Sequence, residues 1–482
     1  MQLNELLNGI EIVNKNTDLT EEISYLTSDS RDIANGCAFV CLEGTKFDGH
    51  QYIDEAIKQG AKIVITQKEA VMKPEVRFVQ INGGRRAIAQ MACNFYRNPS
   101  KEFQLIGITG TKGKTTTSYM IKSILEAKGQ KVGLIGTIEC RIADKILKTS
   151  ENTTPAAIEL QRMFRRMADE KVDAVVMEVS SHALDLERVY GSHFAIAAFS
   201  NLSQDHMDYH KNFENYYQAK KKLFSMCDFA IVNTDDEYGK RLFQEITCVK
   251  ESYGIEKEAN LMAKDLVISA NAVDFSSELG SIRVKIPGKF SVYNALLAMA
   301  VAIKAGCSRE EIQRGFDTLT VPGRSELVKI NADFTVMVDY AHSPDSLKNI
   351  LTATREYAKG RVICVFGCGG DRDKTKRPIM GKIAAELSDI AIVTSDNPRS
   401  ENPEEIILQI EEGMKNLDKE YLKEPDRAKA IYKALEIARK DDVVVIAGKG
   451  HEPYQILNTG TIHFDDREQV KLQFEKLLKD KD

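Results

Sequence analysis

The sequence lacks the features that mark membrane, exported and nucleic-acid-binding proteins. No apolar run approaches the roughly 20 residues of a membrane-spanning helix. The N-terminus has neither a basic segment nor a long apolar core, so no signal peptide is predicted. A net charge of −5 argues against nucleic-acid binding by counterion release, although a local basic pocket is compatible with it. We therefore expect a cytoplasmic protein with no membrane span and no nucleic-acid partner.

The sequence also lacks any C-x-x-C pair. Its nine cysteines are odd in number and scattered, with two pairs spaced by four residues, Cys37/Cys41 and Cys364/Cys368. This pattern is typical of small buried side chains in a reducing cytosol. Low-complexity segments and short repeats are absent too.

The sequence shows an α/β pattern, and the chain is too long to form a single hydrophobic core. The chain has 482 residues, 43% of them hydrophobic, which predicts about two to four domains. Residues 1–102 read as a small α/β unit, and residues 103–324 alternate strands and helices as a parallel sheet does. The pattern restarts in residues 325–482 as a doubly wound, Rossmann-like domain. We predict an α/β protein of three domains with these boundaries, the central one a P-loop ATPase sheet.

A phosphate-binding loop is predicted at the start of the central domain. The apolar run 105–108 reads as a strand, followed by a loop with Gly110 and Gly113 and then by a helix. Backbone N–H groups of such a loop surround phosphate, while Lys114 can reach terminal phosphates and Thr115 can bind Mg²⁺. The loop is a shortened variant, G-x-x-G-K-T, because the earlier glycine of the standard pattern is replaced by isoleucine. The alternative is a lysine-rich turn before an ordinary helix.

A second group of polar residues follows the central strands. Glu178 ends a buried strand, and His206 lies in the segment after another, where ligands of open α/β sheets gather. Glu178 is a candidate to hold Mg²⁺ or a water. His206 is either a metal ligand or a histidine satisfied by Asp205. The run 220–222 of three lysines is either a solvated helix face or a source of one lysine near the phosphates.

A third group lies in the last domain. Arg372 and the run Asp396-Asn397-Pro398-Arg399 supply two arginines that can clamp carboxylates. Asp396 and Glu452 can receive an ammonium group, and together these residues suit a zwitterionic small molecule. The alternative is a set of salt-bridged turns. Five of the eight histidines, at 182, 206, 210, 342 and 451, also fall at or beyond strand ends, which favours an active site shared between domains.

These motifs together resemble those of the Mur ligases, the ATP-dependent amide ligases of peptidoglycan precursor synthesis. The resemblance runs in order through all three domains, in the shortened P-loop and in runs 151–155, 178–182, 201–210, 322–324 and 339–342. It implies a first domain that binds a UDP-sugar, a central ATPase and a last domain that admits an amino acid. The run 396–399 is similar to the motif of the branch that adds meso-2,6-diaminopimelate; the lysine-adding branch commonly lacks the arginine.

The resemblance also implies residue roles, by motif position. The UDP end would be held by Ser28, Ser30, Thr45, Lys46 and Phe47. The muramoyl-dipeptide would contact Asn152, Thr153, Thr154, Ser180 and Arg188. Diaminopimelate would contact Arg372, Asp396, Asn397, Pro398, Arg399, Gly448 and Glu452.

The remaining implied roles concern ATP and Mg²⁺. ATP would be bound by Gly110, Thr111, Lys112, Gly113, Lys114, Thr115, Thr116, Asn294, Arg324 and Asp339. Mg²⁺ would be held by Thr115, Glu178 and His206, and by Lys220, which aligns with the lysine that the family carbamylates. The residues expected to take part in catalysis are Lys114, Glu178, His206 and Lys220.

The implied reaction joins meso-diaminopimelate to UDP-N-acetylmuramoyl-L-alanyl-D-glutamate through an acyl phosphate, in a chain expected to be a monomer. Its closest rival is the same ligase using L-lysine. A folylpolyglutamate-type ligase shares the ATPase core but not the motifs of the first domain. From a different class, a P-loop regulator or transport ATPase would hydrolyse ATP without either cosubstrate.

Overall fold

A computed structural model describes residues 1–482 except 42, 44–47, 69–76, 150–151, 416, 418 and 482. The chain forms two compact units, Met1–Asn260 with Leu297–Cys307, and Leu261–Leu296 with Ser308–Asp482. The division into three domains stays a prediction. Among the described residues, no helix has the length and apolar character that crossing a membrane requires.

The first unit alternates strands and helices through most of its length. Its strands are β1 (Ile12–Lys15), β2 (Tyr25–Thr27), β3 (Cys37–Val40), β4 (Ile63–Thr66), β5 (Arg77–Ile81), β6 (Gln104–Thr109), β7 (Val132–Ile135), β8 (Glu139–Ile142), β9 (Lys145–Thr149), β10 (Ala174–Glu178), β11 (Phe194–Phe199), β12 (Cys227–Asn233) and β13 (Val249–Gly254). Its helices are α1 (Leu3–Leu6), α2 (Ile53–Lys58), α3 (Gly84–Phe95), α4 (Lys114–Ala127), α5 (Ala157–Asp169), α6 (Ser181–Asp185), α7 (Met207–His210), α8 (Phe213–Lys221) and α9 (Glu237–Glu245).

Two sheets organise the first unit. The smaller has the order β1-β5-β4-β3-β2, with only β1 antiparallel to its neighbour. The larger runs β13-β12-β11-β6-β10-β7-β8-β9, and its members from β13 to β7 are parallel. Every residue of β7 and β10 is buried, as strands covered on both faces must be. The parallel strands therefore end at one edge, which collects the loops after β6, β7, β10 and β11.

The second unit repeats the α/β pattern. Its strands are β14 (Leu261–Met262), β15 (Lys264–Ile268), β16 (Val273–Ser277), β17 (Gly280–Val284), β18 (Glu326–Leu327), β19 (Thr335–Asp339), β20 (Val362–Phe366), β21 (Ile390–Thr394), β22 (Tyr421–Glu424), β23 (Val443–Ala447), β24 (Tyr454–Leu457) and β25 (Gly460–His463). Its helices are α10 (Lys289–Lys304), whose last residues belong to the first unit, α11 (Arg309–Thr318), α12 (Pro344–Tyr357), α13 (Lys376–Leu387), α14 (Pro403–Glu411), α15 (Arg427–Ile437) and α16 (Asp466–Lys481).

The main sheet of the second unit is six-stranded, in the order β18-β19-β23-β20-β21-β22, and parallel except for β18. A three-stranded antiparallel sheet, β15-β16-β17, and the hairpin β24–β25 accompany it. Separate apolar clusters cover the two faces of the main sheet. The loops after β19, β20, β21 and β23 consequently meet at one edge.

The structure confirms the α/β fold class but corrects some element boundaries. A proline at position 155 predicts the first turn of a helix, yet α5 begins at Ala157 because Ala156 is still extended, with ψ of 155°. The Thr154 hydroxyl, which donates to the Glu178 carbonyl at 2.8 Å, holds this segment away from helical geometry. The strand patterns bounded by turns in residues 250–288 predict a peripheral sheet, but residues 249–254 form β13 of the larger sheet.

Candidate active site

The loop after β6 curls tightly against the segment that follows β11. Gly110 has φ of +147°, and a Cβ there would lie 2.0 Å from the Ser200 Oγ. The Asn201 carbonyl accepts from the Thr111 N–H at 2.8 Å, and Ser200 donates to the Lys112 carbonyl at 2.7 Å. Only glycine fits at position 110, because any side chain would push the two segments apart.

Helix α4 begins directly at the end of this loop. Gly113 precedes the helix with φ of +86° and, as a glycine, has no side chain with which to cap the first turn. Lys114 donates to the carbonyls of Gly110 and Thr111 at 2.8 and 2.9 Å. The strand, loop and helix predicted for a phosphate-binding device are therefore all present, with backbone N–H groups at the helix N-terminus.

Glu178 connects this loop to the neighbouring strand ends. The carboxylate is only 1% exposed. Its Oε2 accepts from the hydroxyls of Thr115 and Thr137, both at 3.0 Å. A Cβ on Gly136, the residue after β7, would lie 2.4 Å from Oε1, so a larger residue there would force the carboxylate to shift. A buried acid held by two hydroxyls at the helix N-terminus presents oxygen ligands of the kind that Mg²⁺ prefers.

The residues predicted to contact the muramoyl-dipeptide lie beside Glu178. The Thr153 and Thr137 hydroxyls share a hydrogen bond of 3.0 Å, and Thr154 accepts from the Ser180 N–H at 3.0 Å. Arg188 donates to the Thr154 carbonyl at 2.9 Å. The structure thus brings Thr153, Thr154, Ser180 and Arg188 into one hydrogen-bonded row.

Of the residues predicted to bind the UDP end, the structure describes only Ser28 and Ser30. Ser28 is exposed and Ser30 half-buried, both in the turn after β2, and Asn152 is exposed. Thr45, Lys46 and Phe47 lie outside the described residues. Thr116 is buried in the first turn of α4.

Histidines cluster beside α7 and α8, as their positions beyond the strands predicted. The His182 and His206 rings meet edge to face at 4.8 Å, and His210 lies 5.4 Å from His182 between ring centres. His206 has φ of +53° and lies 3.7 Å from Asp205, with about half its side chain exposed. Burial lowers the pKa of His206, the Asp205 carboxylate opposes that shift, and the Lys114 ammonium group adds to it. The lowered pKa favours the neutral imidazole, the form that binds metal.

Lowering the pH from 6.5 to 4 should reduce the free energy of unfolding, in part through His210. Burial lowers the pKa of His210 from 6.5 to about 4, and its Nε2 shares a 2.9 Å hydrogen bond with Ser181. Between these pH values the unfolded chain binds the extra proton, so the contribution is complete above 6.5 and lost by 4. Urea titrations across this range should show a smaller slope of the free energy of unfolding against pH for His210→Gln than for the wild type. Equal slopes in the wild type and His210→Gln would contradict the assignment.

Lys220 is the buried member of the lysine triplet. Its side chain is 1% exposed, and its Nζ donates to the Gly110 carbonyl at 2.7 Å. Burial, reinforced by the Lys114 charge, holds the pKa of Lys220 well below its usual range. Lys221 instead pairs with Glu245 at 2.8 Å with its side chain 33% exposed. Lys220 therefore faces the phosphate-binding loop, whereas Lys221 on the same helix faces solvent.

In the second unit, the antiparallel pairing of β18 and β19 brings Arg324, just before β18, close to Asp339 at the end of β19. Asp339 accepts from the Ser325 N–H at 2.8 Å, and its backbone carbonyl accepts from the Gly448 N–H at 3.1 Å. Arg324 stacks on the Tyr340 ring at 4.9 Å. Burial raises the pKa of Asp339, and the Arg324 charge opposes that shift. Asn294, the third residue expected near the nucleotide, is buried in α10.

The run 396–399 meets the loop after β23. A Cβ on Gly448 would lie 2.6 Å from the Asp396 Oδ2, an atom that is buried with no hydrogen-bond partner among the described residues. Asn397 donates to the Glu452 Oε2 at 2.8 Å. These four predicted residues lie together with Pro398, whose carbonyl would lie 1.9 Å from a Cβ on Gly370, and we call this group of residues the polar pocket. An unpartnered buried carboxylate oxygen is the kind of group that a ligand ammonium can satisfy.

Both predicted arginines flank Gly369 at the mouth of this pocket. Arg399 has φ of +54° and donates to the carbonyls of Gly370 and Asn397 at 2.9 and 3.2 Å. A Cβ on Gly369 would lie 2.9 Å from the Arg399 Nη1 and 3.8 Å from the Arg372 Cγ. Arg372 is exposed and donates to the Asp371 carbonyl. The two guanidinium-bearing side chains therefore approach the same backbone position.

Sequence reasoning missed the buried charges beneath the pocket. Arg377 is fully buried, forms two 2.9 Å bonds with Glu401 and donates to the Gly369 carbonyl. Arg427 and Asp466, also fully buried, form a two-pronged pair at 2.7 Å. Lys449 lies between Asn397 and Glu452. Of these residues, only Lys449 could have been found from the sequence, because it lies between Gly448 and Glu452, which were both predicted to contact the amino acid.

The chain was compared with families of known proteins. The Mur ligase middle domain matches residues 108–302, the glutamate ligase domain of Mur ligases matches residues 323–450, and the catalytic domain of the Mur ligase family matches residues 22–96. The middle-domain match contains Glu178 and most of the phosphate-binding loop, and the glutamate-ligase-domain match contains the run 396–399.

Individual relatives agree with this result. A UDP-N-acetylmuramoyl-L-alanyl-D-glutamate–2,6-diaminopimelate ligase of Clostridium acetobutylicum is 49% identical, covering 98% of each chain. The ligase of the same name from Clostridium botulinum is 46% identical, covering 100% of each. A solved structure of such a ligase superposes with a TM-score of 0.70 at 29% identity, covering 99% of each chain. By these matches and the motifs that carry them, the chain belongs to the Mur ligase family.

Proposed function

We propose that this Mur ligase uses ATP to join meso-2,6-diaminopimelate to UDP-N-acetylmuramoyl-L-alanyl-D-glutamate, in peptidoglycan precursor synthesis. Relatives that are 42–49% identical over nearly the whole chain carry the name of this activity. The observation that carries the proposal is the polar pocket, in which the Asn397 amide donates to the Glu452 carboxylate and the Asn397 backbone carbonyl accepts from Arg399. Its cation and carboxylates match the carboxylate and ammonium groups of a diamino acid.

The phosphate-binding loop supports the ATP-dependent half of the reaction. Lys114 now donates to loop carbonyls and would turn to the terminal phosphates when ATP binds. The N–H groups of the uncapped first turn of α4 would face the same charge. Arg324, Asp339 and Asn294 are proposed to contact the nucleotide, as their motif positions imply. ATP dependence itself is common to the family to which the chain belongs.

The residues beside the loop fit a magnesium ion. Thr115 and Glu178 place a hydroxyl and a carboxylate 3.0 Å apart, and His206 is neutral. In the described part of the chain, no three acidic, histidine or cysteine side chains gather as a metal site. Mg²⁺ commonly binds through one or two protein groups together with phosphates and water. When bound, it would neutralise charge on the phosphates.

We also propose that Lys220 is carbamylated. Burial lowers the pKa of Lys220 and so favours the neutral amine, which can attack the carbon of CO₂. The new N–C bond gives a carbamate, and the displaced proton passes to water. The carbamate carbon is bonded to the Nζ, which now donates to the Gly110 carbonyl at 2.7 Å, so the new carboxylate would extend beyond that atom. Such a group would serve as an additional oxygen ligand beside Glu178 and His206.

The chemistry then follows in two steps. The γ-carboxylate of the D-glutamyl residue attacks the terminal phosphorus of ATP, which releases ADP and leaves an acyl phosphate. Lys114 and the helix N–H groups stabilise the negative charge that gathers in this step. The neutral amine of diaminopimelate attacks the activated carbonyl, and phosphate leaves. Thr153, Thr154, Ser180 and Arg188 are proposed to orient the dipeptide, while Ser28, Ser30, Thr45, Lys46, Phe47 and Asn152 hold the rest of the UDP-linked substrate.

An ADP-release assay with three acceptors tests the proposal. We expect ADP only when the UDP-linked dipeptide and diaminopimelate are both present, with L-lysine and ornithine much poorer acceptors. Preference for L-lysine would favour the lysine-adding ligase. Rapid hydrolysis with ATP alone would favour a regulatory or transport ATPase.

We also propose the cellular location and the oligomeric state of the enzyme. ATP and UDP-linked sugars are cytoplasmic substrates, and we place the protein there as a monomer. Size-exclusion chromatography with light scattering should give the 54.0 kDa of one chain.

A further inference from the structure

Lys449 is a lysine with no access to solvent. Its side chain is 0% exposed, and its Nζ donates to the Asn397 Oδ1 and the Glu452 Oε2, both at 3.3 Å, and to the Tyr454 carbonyl. An ammonium group has three protons to donate, and these three acceptors use them all. A lysine arranged in this way has nothing to offer a ligand directly.

The contacts of Lys449 fix both of the polar side chains above it. Asn397 also accepts from the Ile456 N–H at 2.9 Å, so its Oδ1 faces Lys449 and its Nδ2 faces Glu452. The Glu452 Oε2 receives both Lys449 and the Asn397 amide. Among the described residues, no hydrogen bond to Oε1 is found, so this second oxygen is the one available to a ligand.

We propose that Lys449 is a positioning residue that holds Glu452 and Asn397 in one orientation, with the Glu452 Oε1 turned to the ammonium group of the incoming amino acid. The inference rests on the proposed function, since it concerns the pocket assigned there to diaminopimelate. Lys449 acts through Glu452 and does not touch the substrate.

The charges around Glu452 give Lys449 a second effect. Burial raises the pKa of Glu452, the Lys449 ammonium opposes that shift, and the Asp396 carboxylate adds to it. Arg427 of α15 and the Tyr340 and Tyr454 phenols also act on this carboxylate. Lys449 is the only lysine or arginine in direct contact with Glu452 among the described residues. Without it, the carboxylate would protonate at higher pH and lose its attraction for an ammonium group.

A double-mutant cycle tests the proposal with Lys449→Met, Glu452→Gln and the variant that carries both changes. We expect each single change to raise the KM for diaminopimelate about tenfold or more, with the KM values for ATP and the dipeptide within about twofold of wild type. The acid limb of kcat/KM for diaminopimelate should move to higher pH in Lys449→Met. Because Lys449 acts through Glu452, the double variant should be no worse than Glu452→Gln alone.

The control is Lys423→Met, which removes a surface lysine paired with Glu411 at 3.0 Å in the same unit. It should leave all three KM values unchanged. Two outcomes would overturn the positioning role, because each would show that Lys449 acts independently of Glu452. One is a rise in the KM for diaminopimelate in the double variant equal to the product of the two single rises. The other is an acid limb of kcat/KM that does not move in Lys449→Met. An unchanged KM in Glu452→Gln would instead remove Glu452 from the proposed amino-acid pocket and overturn the inference with it.

If Lys449→Met does not fold, the double variant provides the test, because it buries neither the Lys449 charge nor the Glu452 charge. It should fold and reproduce the kinetics of Glu452→Gln. A double variant that is also unfolded would show that Lys449 supports the hairpin β24–β25 through the Tyr454 carbonyl, and would overturn the proposal. Thermal unfolding of all variants, followed by circular dichroism, makes this distinction.

Discussion

Replacing Lys220 with methionine should lower kcat for ADP release by about 10²–10³-fold, the larger of the two effects that we expect. The side chain is buried against the phosphate-binding loop, with its Nζ 2.7 Å from the Gly110 carbonyl. If the amine is carbamylated as proposed, the change removes a charged oxygen ligand beside Glu178. Methionine has a similar length and no charge, so the loss would reflect chemistry more than packing. Steady-state kinetics with saturating substrates measures the effect.

The neighbouring Lys221 provides a matched control for this experiment. It lies on the same helix but pairs with Glu245 at the surface, where such a pair contributes at most about 1 kcal/mol. Lys221→Met should keep nearly the full kcat. A Lys220→Met variant as active as Lys221→Met would contradict the role of Lys220. The carbamate itself is tested by ¹³C NMR after incubation with ¹³CO₂, and a missing carbamate signal in the active wild-type enzyme would exclude it.

Replacing Arg399 with methionine should raise the KM for diaminopimelate about 10–150-fold, since a charge-assisted hydrogen bond contributes about 1.5–3 kcal/mol. The guanidinium group stands beside Asn397 and Gly370 in the polar pocket, where it can pair with the distal carboxylate of the amino acid. L-lysine lacks that carboxylate. The variant should therefore lose most of its preference for diaminopimelate over lysine in an ADP-release assay.

Arg355→Met is the matched control for this prediction. Arg355 pairs with Asp389 at 2.7 Å on the surface of the same unit, and its loss should leave the KM for both amino acids unchanged. An Arg399→Met variant with wild-type kinetics on diaminopimelate would remove Arg399 from the specificity pocket. Another group would then have to bind the distal carboxylate.

The parts of the structure that could be predicted are those set by local sequence. The strand, glycine loop and helix around Lys114 were predictable because periodicity and turn residues act over a few positions. Glu178 was placed correctly at a strand end for the same reason. Its bonds to Thr115 and Thr137 required the parallel pairing of strands β6, β7 and β10, which brings distant segments to one edge.

The parts that could not be predicted depend on contacts distant in sequence. Nothing in the lysine triplet distinguishes Lys220 from Lys221, because their burial depends on how α8 meets the phosphate-binding loop. The fully buried Arg377 reads as a surface residue until Glu401 is seen to lie against it. The start of α5 at Ala157 was missed since Thr154 bonds to the backbone of Glu178. An active site shared between the domains stays a prediction.

The central claim, that ATP activates the dipeptide carboxylate as an acyl phosphate before the amine attacks, is tested most directly by isotope transfer. The UDP-linked dipeptide is prepared with ¹⁸O in its γ-carboxylate and turned over with ATP and diaminopimelate, and the released phosphate is analysed by mass spectrometry. The account predicts one ¹⁸O atom in each phosphate, because the oxygen that attacks phosphorus leaves with it. Phosphate without ¹⁸O, formed alongside the amide product, would contradict it.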